Sequence, residues 1–501
     1  RELPFRYVVT TGNEAGLTVF DLVDYMLDEG DTDVFILFLE SIKDAAMFRR
    51  AAEKALRAGK PIIAVKVGSS EAGRFAASSH TASLAGSDRV NRAMFDAYGI
   101  IMAEDQDEAV DLTSAFLLNK GRLPRGNRVG ISSSTGGGGG WLADLASAEG
   151  LEVPELDRAT RDTIDKILPP YGSSRNPVDA TAQAVHQIGY AELTRLTGLS
   201  PNVDAILVIM SARVADSVEK QRESLTKVGR GSEKPIVAWT YTWPSQETVA
   251  ILAEAGYALT TNVRNCARVM AAMVRYRELR EAFAAPLATD AKGASDLASL
   301  AGIDGIIPEH AARAALARHG IGRVTGKLVT SPHKTEAGGV ALGVASAEEA
   351  GAAFDRLIEK ANAYKPGAAI DGVLVEPMAP RGHEMILGVN RDEVFGPMIL
   401  VGAGGVLAEL VDDTVLSPPV ADQEAALALL RRLKVWKLLD GWRGAKPADV
   451  AALADAIVQL SSFAVENAAT VREIDINPVL VHDEGAGLSI VDALIVTEEG
   501  A

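Results

Sequence analysis

"NRVGISSSTGGGGGWLADLASAEG", Asn127 to Gly150, reads in three pieces. "NRVGISSS" (Asn127–Ser134) has the apolar run of a short buried strand. Thr135 and five consecutive glycines, Gly136, Gly137, Gly138, Gly139 and Gly140, read as a loop that opens a helix over the remainder. A glycine loop between strand and helix lets backbone N–H groups approach an anion, and the helix dipole adds positive charge there. Thr135 to Gly140 is therefore a candidate phosphate site, and a flexible surface turn is the plain alternative. No Gly-Lys-Ser/Thr follows, so the stretch is not a P-loop.

Downstream, "DAILVIMSA" (Asp204–Ala212) and "KPIVAWTYT" (Lys234–Thr242) are further strands, separated by a helix around Ser217–Gly229. "SQETVAILAEAGYALTTN" supplies another helix and strand, and the long helix "RNCARVMAAMVRYRELREAF" (Arg264–Phe283) closes the segment. Upstream, "DVFILFLE" (Asp33–Glu40) and "KPIIAVKVG" (Lys60–Gly68) are short β-branched runs, expected as buried parallel strands. Between them, Asp44–Gly59 is an amphipathic helix closed by glycine, which completes a βαβ unit. Helix "DRVNRAMFDAYG" follows, and Tyr7–Val9 reads as a strand. Residues 1–124 and 125–285 are thus two doubly wound α/β segments. A small-residue linker, 286–303, leads into an α+β region over 304–501, with strands at "GVLVEPMA", "GHEMILGVNRD", "FGPMILVGAGG", "REIDINPVLVHD" and "GLSIVDALIV". Residues Ala317–Val340 hold too little chain for the strand, helix and strand expected there.

The composition narrows the function classes. The chain has 501 residues, 48% apolar and 23% charged, enough for several cores. A net charge of −17 argues against nucleic acid as the main partner. The single cysteine, Cys266, excludes an intrachain disulfide and fits a reducing cytoplasm. No apolar run reaches the ~18 residues of a membrane span.

Several residues carry candidate chemistry. "RFAASSHTASLAGSD" (Arg74–Asp88) sets one imidazole, His80, among small residues, with neither apolar nor metal-ligating neighbours. "EIDINPV" and "SIVDALI" put Asp475, Asn477 and Asp492 on adjacent strands, with Asp475 and Asn477 on one face. Such oxygens suit Mg2+ on a nucleotide phosphate, or equally strand-end turns. "SPHKTEAGG" (Ser331–Gly339) and "GAGGVLAEL" (Gly402–Leu410) are loops that read as plain polar turns by themselves. Trp239, Tyr241 and Trp243 alternate along one strand in a chain only 5% aromatic. They are either a wall for a bulky acid such as a hydroxycinnamate or ordinary inter-domain packing.

Six co-linear motifs over nearly the whole chain carry a resemblance: "SSHTASLAGSD", "SSTGGGGGWLAD", "NPVDAT", "PHKTEAGGVALGV", "FGPMILVGAGG" and "EIDINPV". Together they resemble the ADP-forming acyl-CoA synthetases, the acetate–CoA ligase family related to succinyl-CoA synthetase. The resemblance implies two flavodoxin-like ligase domains followed by an α+β ATP-grasp domain. It implies a reaction in which a carboxylic acid, ATP and CoA give acyl-CoA, ADP and phosphate through an acyl phosphate and a phosphohistidine. It assigns the phosphoryl carrier to His80 and the ring-orienting carboxylate to Glu40. Lys327 falls on the nucleotide phosphates and Glu376 on the adenine-side strand. Asn477 and Asp492 match the Mg2+ ligands, with Asp475 a weaker candidate, and His333 matches a second phosphoryl carrier. A cytoplasmic homodimer is implied too. The pattern also leads one to expect an N-terminal CoA-binding Rossmann-like domain ahead of residue 1 and a fuller ATP-grasp loop near 320–333. Two other readings share the motifs: a ligase coupled to a further lyase-type step, and a CoA- or nucleotide-sensing or acetyltransferase-associated module.

Overall fold

The computed structural model describes residues 3–68, 87–287, 305–307, 309–321, 323–324, 341, 343–364, 366, 373, 378–405 and 413–498. They fall into two compact units, one of residues 1–85 with 98–283, the other of 86–97 with 284–501.

In the first unit, β1 (Phe35–Leu39), β2 (Ile62–Lys66) and β3 (Ile100–Met102) pair in parallel in that order. The helix Ala45–Ala58 joins β1 to β2. Asp44 starts it by accepting the Met47 N–H at 2.9 Å, and Gly59 ends it at φ 68°, a left-handed conformation that favours glycine. Five more parallel strands form the second sheet: β4 (Val129–Ser133), β5 (Val178–Asp179), β6 (Ala205–Met210), β7 (Ile236–Thr240) and β8 (Ala258–Thr260), in the order β5-β4-β6-β7-β8. Every residue of β4, β6 and β7 is buried, as expected of parallel strands covered on both faces. On β1, by contrast, Ile36 and Phe38 are exposed.

The segments 1–124 and 125–285 keep separate sheets but share one core. Leu112 and Phe116, from the helix Gln106–Leu118, pack in one cluster with Met270 and Tyr276 of the helix Val263–Ala282. Polar contacts fasten the same two helices. The Asn265 amide donates to Asp111 at 2.9 Å, and Arg268 pairs with Glu108 at 2.7 Å.

Among the described residues, the second unit is built on an eight-stranded sheet. Its strands are β9 (Ile306–Ile307), β10 (Arg323–Val324), β11 (His383–Asp392), β12 (Gly396–Ala403), β13 (Thr414–Ser417), β14 (Val471–Val481), β15 (Leu488–Ile490) and β16 (Ala493–Thr497). The main order is β10-β15-β14-β11-β12-β13, and β16 bridges β14 to β9. Met385, Leu387, Ile474 and Ile476 fill the core beneath it with the helix Val450–Glu466.

Four expectations change. Tyr7–Val9 forms no strand: β-propensity alone does not hold a strand that has no paired neighbour. The glycines are not a loop but the first turn of the helix Gly136–Ala148. The helix around Ser217–Gly229 is two, Ala215–Glu219 and Arg222–Gly231. "GLSIVDALIV" breaks into β15 and β16 opposite Pro478, which has no N–H to give the ladder. The "GVLVEPMA" strand, the linker 286–303 and the crowded stretch 317–340 lie largely outside the described residues.

Candidate functional site

Two places gather the residues singled out above. The first is the C-terminal edge of the five-stranded sheet, where open α/β units bind ligands. Here Thr135 precedes the glycine helix, and its side chain makes no capping bond. The Ser133 hydroxyl accepts the Thr135 N–H at 3.0 Å and donates to the Thr135 carbonyl at 2.6 Å, which fixes the turn. Gly136 and Gly137 are exposed, in the first turn, where backbone N–H groups have no partner within the helix.

None of the five glycines has a positive φ, so left-handed backbone is not their reason, and three of them serve close approach. A Cβ on Gly139 would lie 3.1 Å from Pro177, and one on Gly138 would lie 2.9 Å from Thr135 Cγ2 and 3.4 Å from the Trp239 ring. One on Gly136 would meet Asp179 at 2.8 Å. Gly137 and Gly140 have open space. Asn176, in "NPVDAT", props β4 from the side. Its carbonyl accepts the Ile131 N–H at 2.8 Å, and its amide donates to Val129 and Pro154, each at 2.8 Å. The Asp179 carboxylate accepts the Thr181 N–H at 2.8 Å.

The aromatic residues part company. Trp239 is buried on β7 and meets Tyr241 edge-on, centroids 6.4 Å apart. Trp243 is 87% exposed. Trp141, on the glycine helix, joins Trp239 in a T-shaped contact at 5.7 Å. Sequence reading passed over Trp141 and Asp179, although both stand inside quoted motifs.

The second place is the exposed face of β14. Burial alternates along it as expected, with Asp475 and Asn477 outward and Ile474 and Ile476 in the core. Asn477 lies opposite Asp492 at the strand break, its N–H donating to the Asp492 carbonyl at 3.2 Å. Asp475 reaches solvent, yet the surrounding chain partly desolvates it. That desolvation, with the charges of Glu473 and Asp492, pushes its carboxyl above the usual range. This donor set fits Mg2+, which takes one or two carboxylates and completes its shell with water and phosphate. No group of three His, Cys, Asp or Glu cages a metal among the described residues. A cleft of about 490 Å3 opens on this face, lined by Ser87, Arg89, Gly388, Asn390, Glu473 and Asp475. Ser87 directly ends the segment that carries His80.

Glu40 follows β1, half-buried, and its side chain has no partner among the described residues. The Lys66 ammonium ties the Glu40 carbonyl at 2.8 Å to the Val67 carbonyl at 2.5 Å, so the ends of β1 and β2 are clamped together. His80, Lys327, His333 and Glu376 lie outside the described residues.

Comparisons with known proteins fit this arrangement. Residues 1–116 match the succinyl-CoA ligase like flavodoxin domain, and residues 304–497 the ATP-grasp domain. A trans-feruloyl-CoA synthase from an unknown prokaryotic organism is 30% identical over 98% of this chain and 72% of that protein. The ADP-forming acetate–CoA ligase I of Archaeoglobus fulgidus is 29% identical over 99% of this chain and 74% of that protein. The chain belongs to the ADP-forming acyl-CoA synthetases. Among solved structures, the dinucleotide forming acetyl-coenzyme A synthetase 1 of Ca. Korarchaeum cryptofilum, in complex with phosphate and ADP, is 30% identical. It covers 55% of this chain and 59% of its own, with a TM-score of 0.48. As an ADP-forming acyl-CoA synthetase the chain is an acid–thiol ligase, an enzyme that works with ATP, Mg2+ and CoA. No described helix is long and apolar enough to cross a membrane.

Proposed function

We propose that this synthetase joins a carboxylic acid to CoA by passing the γ-phosphoryl group of ATP through His80. A neutral imidazole nitrogen attacks the γ-phosphorus, and the bond to ADP breaks. The carboxylate oxygen then takes the phosphoryl group from His80, which leaves an acyl phosphate. Last, the CoA thiol, losing its proton, attacks the acyl carbon and expels phosphate. Phosphoryl transfer of this kind relies on positioning and charge stabilisation.

The observation that carries the reading is Glu40: a half-buried carboxylate at the end of β1 with no side-chain partner among the described residues, beside the point where the His80 segment leaves β2. A carboxylate accepting one ring N–H keeps the opposite nitrogen free for phosphorus. The segment's far end, Ser87, lines the cleft that Asp475 shares. The residues next to His80 in the sequence are small.

In this reading Asn477 and Asp492 hold Mg2+, with Asp475 nearby, and Lys327 and Glu376 face the nucleotide. The ion supplies charge neutralisation on the phosphates. His333 is a second phosphoryl carrier on that side. Thr135 to Gly140 receive the carboxylate or acyl phosphate at the start of the glycine helix. The domain boundaries follow: 1–124 and 125–285 as ligase domains and 304–501 as the ATP-grasp domain, joined by the linker 286–303. The lone, fully buried Cys266 supports a reducing cytoplasm, and a homodimer would be read by light scattering.

Labelling with γ-32P-ATP and Mg2+ tests the relay. Acid-labile, base-stable label is expected on the wild type and none on His80→Ala. Glu40→Gln should label about 100-fold more slowly. Undiminished labelling of His80→Ala would overturn the reading.

A further inference from the structure

The three rings at the glycine helix go beyond what a core requires. Trp239 is 6% exposed and acts as an anchor, with Gly138 of the helix close above its ring, where even an added Cβ would lie 3.4 Å away. Trp141 is 55% exposed and Tyr241 44% exposed, and each of them meets that anchor. The contacts are edge-on, at 86° for Trp141 on Trp239 and 67° for Trp239 on Tyr241. Rings in such a row leave faces and edges open to a further ring, which they hold by the same offset or T-shaped geometry. The row stands at the C-terminal ends of β6 and β7, alongside the first turns of the glycine helix. Nearby hydroxyls form a network around the same ends. The Ser211 N–H donates to Tyr190 at 3.0 Å, the Ala212 N–H donates to Thr242 Oγ1 at 3.1 Å, and the Ser211 and Thr242 hydroxyls lie 3.3 Å apart. A solvated helix face has no need of a tryptophan.

We propose that Trp141, Trp239 and Tyr241 form the wall for an aryl carboxylic acid, and that Trp141 sets the preference for an aromatic acyl group. The proposal rests on the reading of the glycine helix as the anchor for the acid's carboxylate. With the carboxylate at Gly136 and Gly137, the aryl group lies along the helix toward Trp141, one turn on. Trp141 is then a specificity residue and takes no part in the phosphoryl steps.

Steady-state kinetics on the full chain, with a hydroxycinnamic acid and with acetate, test this through ADP release. The wild type should favour the aryl acid in kcat/KM. Trp141→Ala should raise KM for the aryl acid about tenfold, with the acetate KM shifted less than about twofold and kcat little altered for either. Trp141→Leu keeps apolar bulk without a ring and should lose the preference in the same way. Equal shifts for both acids, no shift, or aryl binding retained by Trp141→Leu would overturn the wall. ATP labelling of His80 without any acid separates the two levels. A labelled wild type with no aryl preference sinks the wall alone, and an unlabelled wild type sinks the relay beneath it.

Discussion

In the proposed reaction the edge of the five-stranded sheet and the exposed face of β14 take the charged ends, and the two are built by opposite means. At the first, shape does the work: glycines pressed against Pro177, Thr135 and Asp179, with hydroxyls and an amide holding the turns. At the second, charge does it: Asp475, partly desolvated, stands with Glu473 and Asp492, and that desolvation together with their charges raises its pKa. A site built from shape should fail through misfit and lost stability. A site built from charge should fail in catalysis while the fold survives.

The largest effect is expected at the charged face. Asp492→Asn keeps the volume and removes the charge. It should slow ATP-driven labelling of the protein by about 100-fold or more, the usual toll for losing one well-placed electrostatic group. The Mg2+ concentration needed for half-maximal labelling should rise with it, and the urea midpoint should barely move. A variant that labels normally but unfolds early would break the contrast.

The next effect belongs to the packed edge. Asn176 stands in for a neighbouring strand by making three hydrogen bonds beside β4. Asn176→Ala orphans those backbone groups and should cost roughly 2–3 kcal/mol in urea unfolding. Normal stability in this variant would mean that water replaces the amide freely, and that the edge is looser than its bonds suggest.

How far the sequence could be read follows the same division. Strand alternation was enough to put Asp475 and Asn477 on one face, and the facing of Asn477 and Asp492 followed from two adjacent apolar runs. The βαβ unit was legible too, down to Asp44 and Gly59 at the ends of its helix. Those signals are local. The packed edge depends on pairs distant in the chain, such as Trp141 on Trp239 and Gly139 on Pro177, and no local period announces them. The glycine run misled for the same reason. Glycine costs a helix about 1 kcal/mol per residue by propensity, so five together read as a loop until Asp179, Thr135 and Pro177 supply a reason to tolerate three of them.

The smallest effects separate the glycines from one another. Gly139→Ala puts a methyl 3.1 Å from Pro177, and relieving that contact should cost about 1–2 kcal/mol despite the better helix former. Gly137→Ala meets nothing within 4 Å, so it should stabilise the protein by about 0.5–1 kcal/mol. If Gly137 is glycine to admit a ligand, the more stable variant will still lose kcat/KM for the acid, while its labelling by ATP stays intact. If activity is kept together with the added stability, the open space at Gly137 belongs to solvent, and the carboxylate must sit elsewhere on the helix. Chemical unfolding and acid-dependent ADP release on the two alanine variants decide between these outcomes.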